Sequence, residues 1–225
     1  MSAAPTLSPT SPDAQAGPNP PACPCVEEGR ASTDPVFSKS VPEIWIEAPT
    51  IKTRIEELGK ILAARYRKES PYLVSILNGA FVFTADLVRA MDCHAEVGFM
   101  AVSSYGNSTR SSGTVRITKD LQKDIWGRDV LIVEDIVDTG LTLKYLREML
   151  LTREPRSLST CALLSKTVCR KVTVPVEYVG FEIPDKFVVG YGLDYRQHYR
   201  NLPYIAALRP EVEAKLGAHA EHELP

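Results

Sequence analysis

Val133-Glu134-Asp135-Ile136-Val137-Asp138-Thr139-Gly140-Leu141-Thr142 is the stretch on which the reading of this chain turns. Just before it, Val130–Val133 is an uninterrupted apolar run bounded by charge, as expected of a central parallel strand covered on both faces. Just after it, Thr142–Arg153 sets Leu143, Leu146, Met149 and Leu150 on one side and Lys144, Arg147 and Glu148 on the other, which predicts a helix. The segment is therefore a strand end, a turn and a helix start.

Ligands of an open parallel sheet bind at the carboxyl ends of its strands, where Glu134 and Asp135 are expected to stand. Two adjacent carboxylates repel each other unless a cation lies beside them. Hard, oxygen-liganded Mg²⁺ suits such a place, because it keeps waters and bridges to a substrate. On the other side of the turn, the free N–H groups and positive dipole end of a helix favour an anion. Thr139 and Thr142 add hydroxyls, and Gly140 lets the backbone close around a phosphate. A solvated acidic loop or a plain threonine N-cap accounts for part of this. Neither explains three acids and two threonines within residues 134–142. Together the two halves suit a phosphorylated ribose. No Gly-x-x-x-x-Gly-Lys-Ser/Thr loop and no Gly-x-Gly-x-x-Gly after a strand competes with that reading.

Working outward, apolar residues at helical spacing from Ile51 to Leu62 predict a helix over 50–68 that Pro71 stops. Tyr72–Leu77 reads as a strand, Phe81–Met91 as a helix and 95–102 as a strand. Residues 103–113 lack apolar periodicity and read as a long mobile loop, with strand ends possible at its base. Leu158–Leu164, Val176–Val179, Phe187–Val189 and Ile205–Leu208 read as further strands. Alternation of strands and helices predicts an α/β class with a central, mainly parallel sheet and right-handed crossovers.

Composition narrows the rest. With 225 residues and a formal net charge of -2, the chain fits one domain and shows no basic face for nucleic acid or an anionic membrane. It has no apolar run of the roughly 18 residues a membrane span needs, and no secretory or transit signal is recognisable. The five cysteines, at irregular spacing, do not form a disulfide framework, so a reduced, cytoplasmic protein is expected. Cys23-Pro24-Cys25 is too isolated for a zinc site, which needs four ligands. Eight of the 17 prolines precede Val36, among Ser, Thr, Ala and Gly. Residues 1–38 are therefore expected to be a disordered Pro-rich extension, 39–216 the folded domain and 217–225 a frayed tail.

The Glu134–Thr142 segment resembles the signature of the type I phosphoribosyltransferases, two acids followed by an Asp-Thr-Gly-x-Thr loop that binds phosphoribosyl pyrophosphate. The resemblance spans nearly the whole domain and narrows to the hypoxanthine-guanine (6-oxopurine) branch, especially its bacterial form. It implies that family's fold, with a small hood and a flexible lid loop beside the sheet. Leu77-Asn78-Gly79-Ala80 is similar to the pyrophosphate-binding loop, although many members carry a lysine where Asn78 stands. Ser104-Tyr105-Gly106 resembles the catalytic lid that excludes water. Lys166 matches the lysine that binds the exocyclic oxygen of the purine. In Phe187–Asp194, Phe187 would stack on the base and backbone groups of Val188 would read its edge. Asp194 would lie near the 2-position and a second metal. Ile136 would pack on the opposite face of the purine, and Arg200 would contact pyrophosphate.

The implied activity is transfer of 5-phosphoribosyl to hypoxanthine or guanine, with Mg²⁺ held by Glu134, Asp135 and Asp194. The 5′-phosphate would sit on Asp138, Thr139, Gly140, Leu141 and Thr142, and Asp138 would act as general base for N7 of the purine. A homodimer or homotetramer is implied as well. A xanthine-preferring enzyme and a non-catalytic regulator that senses phosphoribosyl pyrophosphate are the rival readings. Asp138-Thr139-Gly140 is also the aspartic protease tripeptide, but it occurs once and leads into a helix, whereas those proteases are all-β.

Overall fold

The computed structural model describes residues 24, 26, 29–31, 43–104 and 115–208. In chain order its elements begin with β1 (Arg30–Ala31), β2 (Glu43–Ile46), α1 (Ala48–Tyr66), β3 (Tyr72–Leu77), α2 (Phe81–Ala90), β4 (Glu96–Ser104) and β5 (Val115–Lys119). They continue with β6 (Asp129–Val137), α3 (Leu141–Leu151), β7 (Ser157–Ser165), β8 (Tyr178–Glu182), β9 (Val188–Val189) and β10 (Ile205–Ala207). A 3₁₀ turn at Thr167–Cys169 follows β7.

The strands form two sheets. The larger has the order β5-β4-β3-β6-β7-β8, parallel throughout except for β5, which runs antiparallel at the edge. Alternate residues of the central strands serve opposite faces. Leu73, Leu131 and Val133 pack with Ile51, Ile55, Leu58 and Leu62 of α1 and Phe83 and Leu87 of α2. Val74, Ile76, Val130 and Ile132 meet Leu143, Leu146 and Leu150 of α3 on the other face. Each such aliphatic chain contributes about 1.5–3 kcal/mol when fully buried, so the sheet is held rigidly between its helices. The smaller sheet, β1-β2-β10-β9, is antiparallel and forms the hood.

Three expectations change. First, β6 does not end at Val133. Its ladder with β7 continues through Glu134↔Ala162 and Ile136↔Leu164 to Val137↔Ser165, so the two acids lie within the strand. Pairing of Glu134 and then Ile136 with β7 carries the strand through the acids, which overrides the low strand preference of carboxylates. Second, the segment expected to be disordered over 1–38 includes described residues that join the fold. Val26 N–H donates to Glu182 O at 3.0 Å, Glu182 N–H donates to Pro24 O at 3.1 Å, and β1 adds to the edge of β2. The two unpaired sheet edges supply the hydrogen bonds that the local composition cannot. Third, β2 and β5 have no counterpart among the expected strands, and the strand expected at Val176–Val179 lies instead at Tyr178–Glu182, where pairing with Cys161–Ser165 of β7 sets its bounds. The rest of the extension, the expected tail 217–225 and residues 105–114 of the expected lid lie outside the described residues.

Candidate active site

Four segments meet at the carboxyl ends of β3, β6 and β7, beneath the hood. The end of β6 carries Glu134 and Asp135. Glu134 is 6% exposed, and burial, reinforced by the neighbouring Asp135 charge, pushes its carboxyl well above the usual range. Burial also raises the Asp135 carboxyl. The backbone N–H of Ile136, which donates to Asp135 Oδ1 at 2.7 Å, and the Arg200 charge oppose that rise, while Asp194 adds to it. This is a pair of carboxylates short of positive charge, the condition a divalent cation relieves.

The turn after β6 enters α3 through Gly140, the N-cap residue, at φ +82° in the left-handed region that favours glycine. The cap has no side-chain hydrogen bond; Leu141 N–H has only a long contact, 3.5 Å, to Thr139 Oγ1. The threonine N-cap that the sequence allowed is therefore not what starts this helix. Backbone N–H groups at a helix start of this kind can receive an anion. Thr139 is itself pinned, its carbonyl accepting from Lys171 N–H at 3.0 Å.

The turn after β3 lies against the acids. Its Leu77–Asn78 peptide is cis. A Cβ on Gly79 would come 1.5 Å from Asp135 Oδ2 and 2.4 Å from its Cγ. Gly192 of the hood segment, at φ +99°, closes on the same turn: a Cβ there would lie 2.2 Å from Gly79 O. Asn78 is exposed.

The end of β7 brings in Lys166, whose N–H donates to Val137 O at 3.0 Å. Its side chain is 8% exposed, and its Nζ lies 3.4 Å from both Asp138 Oδ2 and Asp185 Oδ1. Arg170 donates to Asp138 O at 3.3 Å and to Ser165 Oγ at 2.9 Å, bracing the turn from outside.

The hood supplies the remaining positions. Phe187 is 42% exposed, with Tyr195 edge-on to it at 5.4 Å between ring centroids. Val188 is buried in β9, paired with Ala207 of β10. Arg200 reaches Asp194 Oδ1 at 2.8 Å and Gly192 O at 2.8 Å, while Gln197 N–H donates to Asp194 Oδ2 at 2.7 Å. Asp194 is thus held by the hood's own groups. Among the described residues no three His, Cys, Asp or Glu side chains converge as a metal cage, so Glu134, Asp135 and Asp194 do not form one closed ligand set. Ser104 ends β4, and Tyr105 lies outside the described residues.

A family model described as "Phosphoribosyl transferase domain" matches residues 46–196.

The chain belongs to the phosphoribosyltransferase family.

Its relatives place it more finely. It is 48% identical over 177 residues to the hypoxanthine-guanine phosphoribosyltransferase of Bacillus subtilis, covering 79% of this chain and 98% of that one. It is 52% identical over 169 residues to the hypoxanthine phosphoribosyltransferase of Escherichia coli, covering 74% and 95%. A solved hypoxanthine phosphoribosyltransferase from Staphylococcus aureus superposes with a TM-score of 0.77 at 45% identity, covering 80% of this chain and 98% of that one. The parallel sheet between helices is the type I phosphoribosyltransferase fold.

Two residues of this phosphoribosyltransferase site escaped the sequence reading. Asp185 stands two positions before Phe187 in a Pro-Asp turn, and a charged residue beside a proposed stacking ring was its only signal. Arg170 had none, because a basic residue after β7 looks like any solvated surface charge.

Proposed function

We propose that this phosphoribosyltransferase works in purine salvage, transferring 5-phosphoribosyl from phosphoribosyl pyrophosphate to hypoxanthine or guanine. The products are IMP or GMP plus pyrophosphate. The observation that carries the reading is Lys166 Nζ standing 3.4 Å from Asp138, on the turn that opens α3. A donor for an exocyclic oxygen and an acceptor for a ring proton are thereby set beside a phosphate cradle.

In this reading Thr139, Gly140, Leu141 and Thr142 bind the 5′-phosphate through backbone N–H groups and hydroxyls. Glu134 and Asp135 orient the ribose hydroxyls. Leu77, Asn78 and Gly79 face the pyrophosphate with main-chain groups, and Arg200 lies on the same side. Phe187 and Ile136 enclose the purine ring, and the backbone of Val188 reads its edge. Lys166 donates to the 6-oxo group while Asp138 accepts the proton from N7. N9 forms its bond to C1′ as the bond from C1′ to pyrophosphate breaks. Glu134 and Asp135, with Asp194 nearby, would hold Mg²⁺; bound there, it would neutralise charge on the departing pyrophosphate. Ser104 and Tyr105 belong to the lid that excludes water from the reacting centre.

A cytoplasmic setting accords with the free thiols of Cys93, Cys161 and Cys169, and a homodimer or homotetramer with the family resemblance. The test is product formation from phosphoribosyl pyrophosphate, with Mg²⁺, against hypoxanthine, guanine, xanthine and adenine. Turnover with hypoxanthine and guanine is expected. Preference for xanthine would overturn the base assignment, and no turnover with any 6-oxopurine would favour a regulator.

A further inference from the structure

The ammonium of Lys166 has two carboxylates, not one. Its stem is buried, but its partners stand at the pocket mouth, Asp138 at 47% and Asp185 at 73% exposure. Asp185 belongs neither to the strand of Lys166 nor to the turn of Asp138. It sits in the link between β8 and β9, after Pro184, whose ring fixes φ. Ile183 N–H donates to Ser165 O at 3.0 Å, so the link is pinned to the residue before Lys166. Lys186 N–H closes a tight turn onto Pro184 O at 2.8 Å. The backbone on both sides of the pair is therefore fixed, unlike that of an ordinary surface ion pair.

We propose that Asp185 is a positioning residue: it holds the Lys166 ammonium over the place of the purine's exocyclic oxygen and keeps it from collapsing onto Asp138. This rests on the base site proposed above. An ammonium has three N–H donors and no acceptor. Facing Asp138 alone, it would occupy the carboxylate that has to take the N7 proton. Shared between Asp138 and Asp185 at equal distances, it leaves Asp138 accessible and directs a donor at the ring edge. The arrangement favours a 6-oxo acceptor over a 6-amino donor, which would present its N–H to an ammonium. A hydrogen bond from the Cys169 thiol and the pairing with Lys166 together hold the Asp185 carboxyl below its ordinary range, so it is an anion at neutral pH.

The test is a double-mutant cycle of Asp185→Asn and Lys166→Gln in the full chain, with Asp185→Glu as the conservative variant. Steady-state KM for hypoxanthine and for phosphoribosyl pyrophosphate would be read alongside calorimetric binding of IMP, which does not require turnover. D185N is expected to raise KM for hypoxanthine and weaken IMP roughly two- to fivefold, the effect of a charged contact near the surface. KM for phosphoribosyl pyrophosphate and Tm should stay unchanged. D185E should recover much of the loss, and in the K166Q background D185N should add nothing. If K166Q leaves hypoxanthine and IMP binding intact, the base-site reading itself fails. If K166Q weakens both while D185N does not, or D185N costs the same in either background, the positioning role is overturned and the base site stands.

Discussion

Gly79 touches Asp135 through the hydrogen where any other residue would carry a Cβ, which would lie 1.5 Å from the carboxylate oxygen. The obstructing atom is the end of a side chain, so Gly79→Ala has a way out: Asp135 rotates away. The fold should survive while the acidic pair loses its alignment. Misplacing a site group by about an ångström costs on the order of 100-fold in turnover. We expect kcat/KM for phosphoribosyl pyrophosphate to drop at least tenfold with Tm nearly unchanged; full activity in G79A would show that the Asp135 position is not critical.

Gly192→Ala should behave differently. Its Cβ would lie 2.2 Å from Gly79 O, a backbone atom, and its φ of +99° is strained for any L side chain. No rotamer change relieves either problem. A cost of about 1–3 kcal/mol is expected for the conformation alone, lowering Tm by roughly 2–12 °C. A thermal melt of G192A matching that of the parent would disprove the close approach of hood and turn.

Glu134 and Asp135 oppose the stability of the ligand-free protein. Their carboxyls are raised by burial. For an acid whose folded pKa exceeds its unfolded value, the charged form is destabilising above the folded value, and the penalty lifts as pH falls through it. Glu134→Gln should therefore raise the Tm of the ligand-free protein at neutral pH while lowering phosphoribosyl transfer. The Tm advantage should shrink as the pH is lowered toward the ordinary carboxylate range, about 4. An advantage independent of pH would point to packing instead of charge.

Asp129, at the start of β6, has the opposite sign. Burial pushes its carboxyl up, but Arg156 and Ser157, whose Oγ lies 2.6 Å from Asp129 Oδ1, outweigh that and hold it below the usual range. Its contribution is complete above the unfolded value of about 3.9 and is lost as pH falls through the lower folded one. Asp129→Asn should cost about 1–3 kcal/mol at neutral pH. The gap from the parent should close in acid, as read by denaturant melts at a series of pH values.

The elements legible in the sequence were those whose own residues determine them. Tyr72–Leu77 is a continuous apolar run, and its boundaries were read correctly because nothing charged interrupts it. The apolar run alone ends the β6 strand at Val133, with the acids just beyond it; only pairing with Ala162, Leu164 and Ser165 carries the strand on to Val137. β2 spans Glu43–Ile46, too short for periodicity to register, and β1 spans Arg30–Ala31. The same division runs through the site. Residues 134–142 were legible because strand end, acids and helix start are consecutive. The approaches of Gly192 to Gly79 and of Asp185 to Lys166 cross between elements far apart in the chain, and no local pattern encodes them.

The hood sheet also has consequences for synthesis. β2 follows shortly after the extension, yet its partner β10 comes at Ile205–Ala207, after every strand of the larger sheet has been made. A growing chain thus possesses the turn that opens α3 and both acids of β6 well before its hood sheet can close. Because Ile205–Ala207 pairs with both β2 and β9, the hood sheet that braces Val188 is completed only when this last strand arrives. A chain truncated before Ile205 should keep the larger sheet but lose the strand that joins β2 to β9, leaving the Trp45 strand edge open to partners other than its own C-terminal segment.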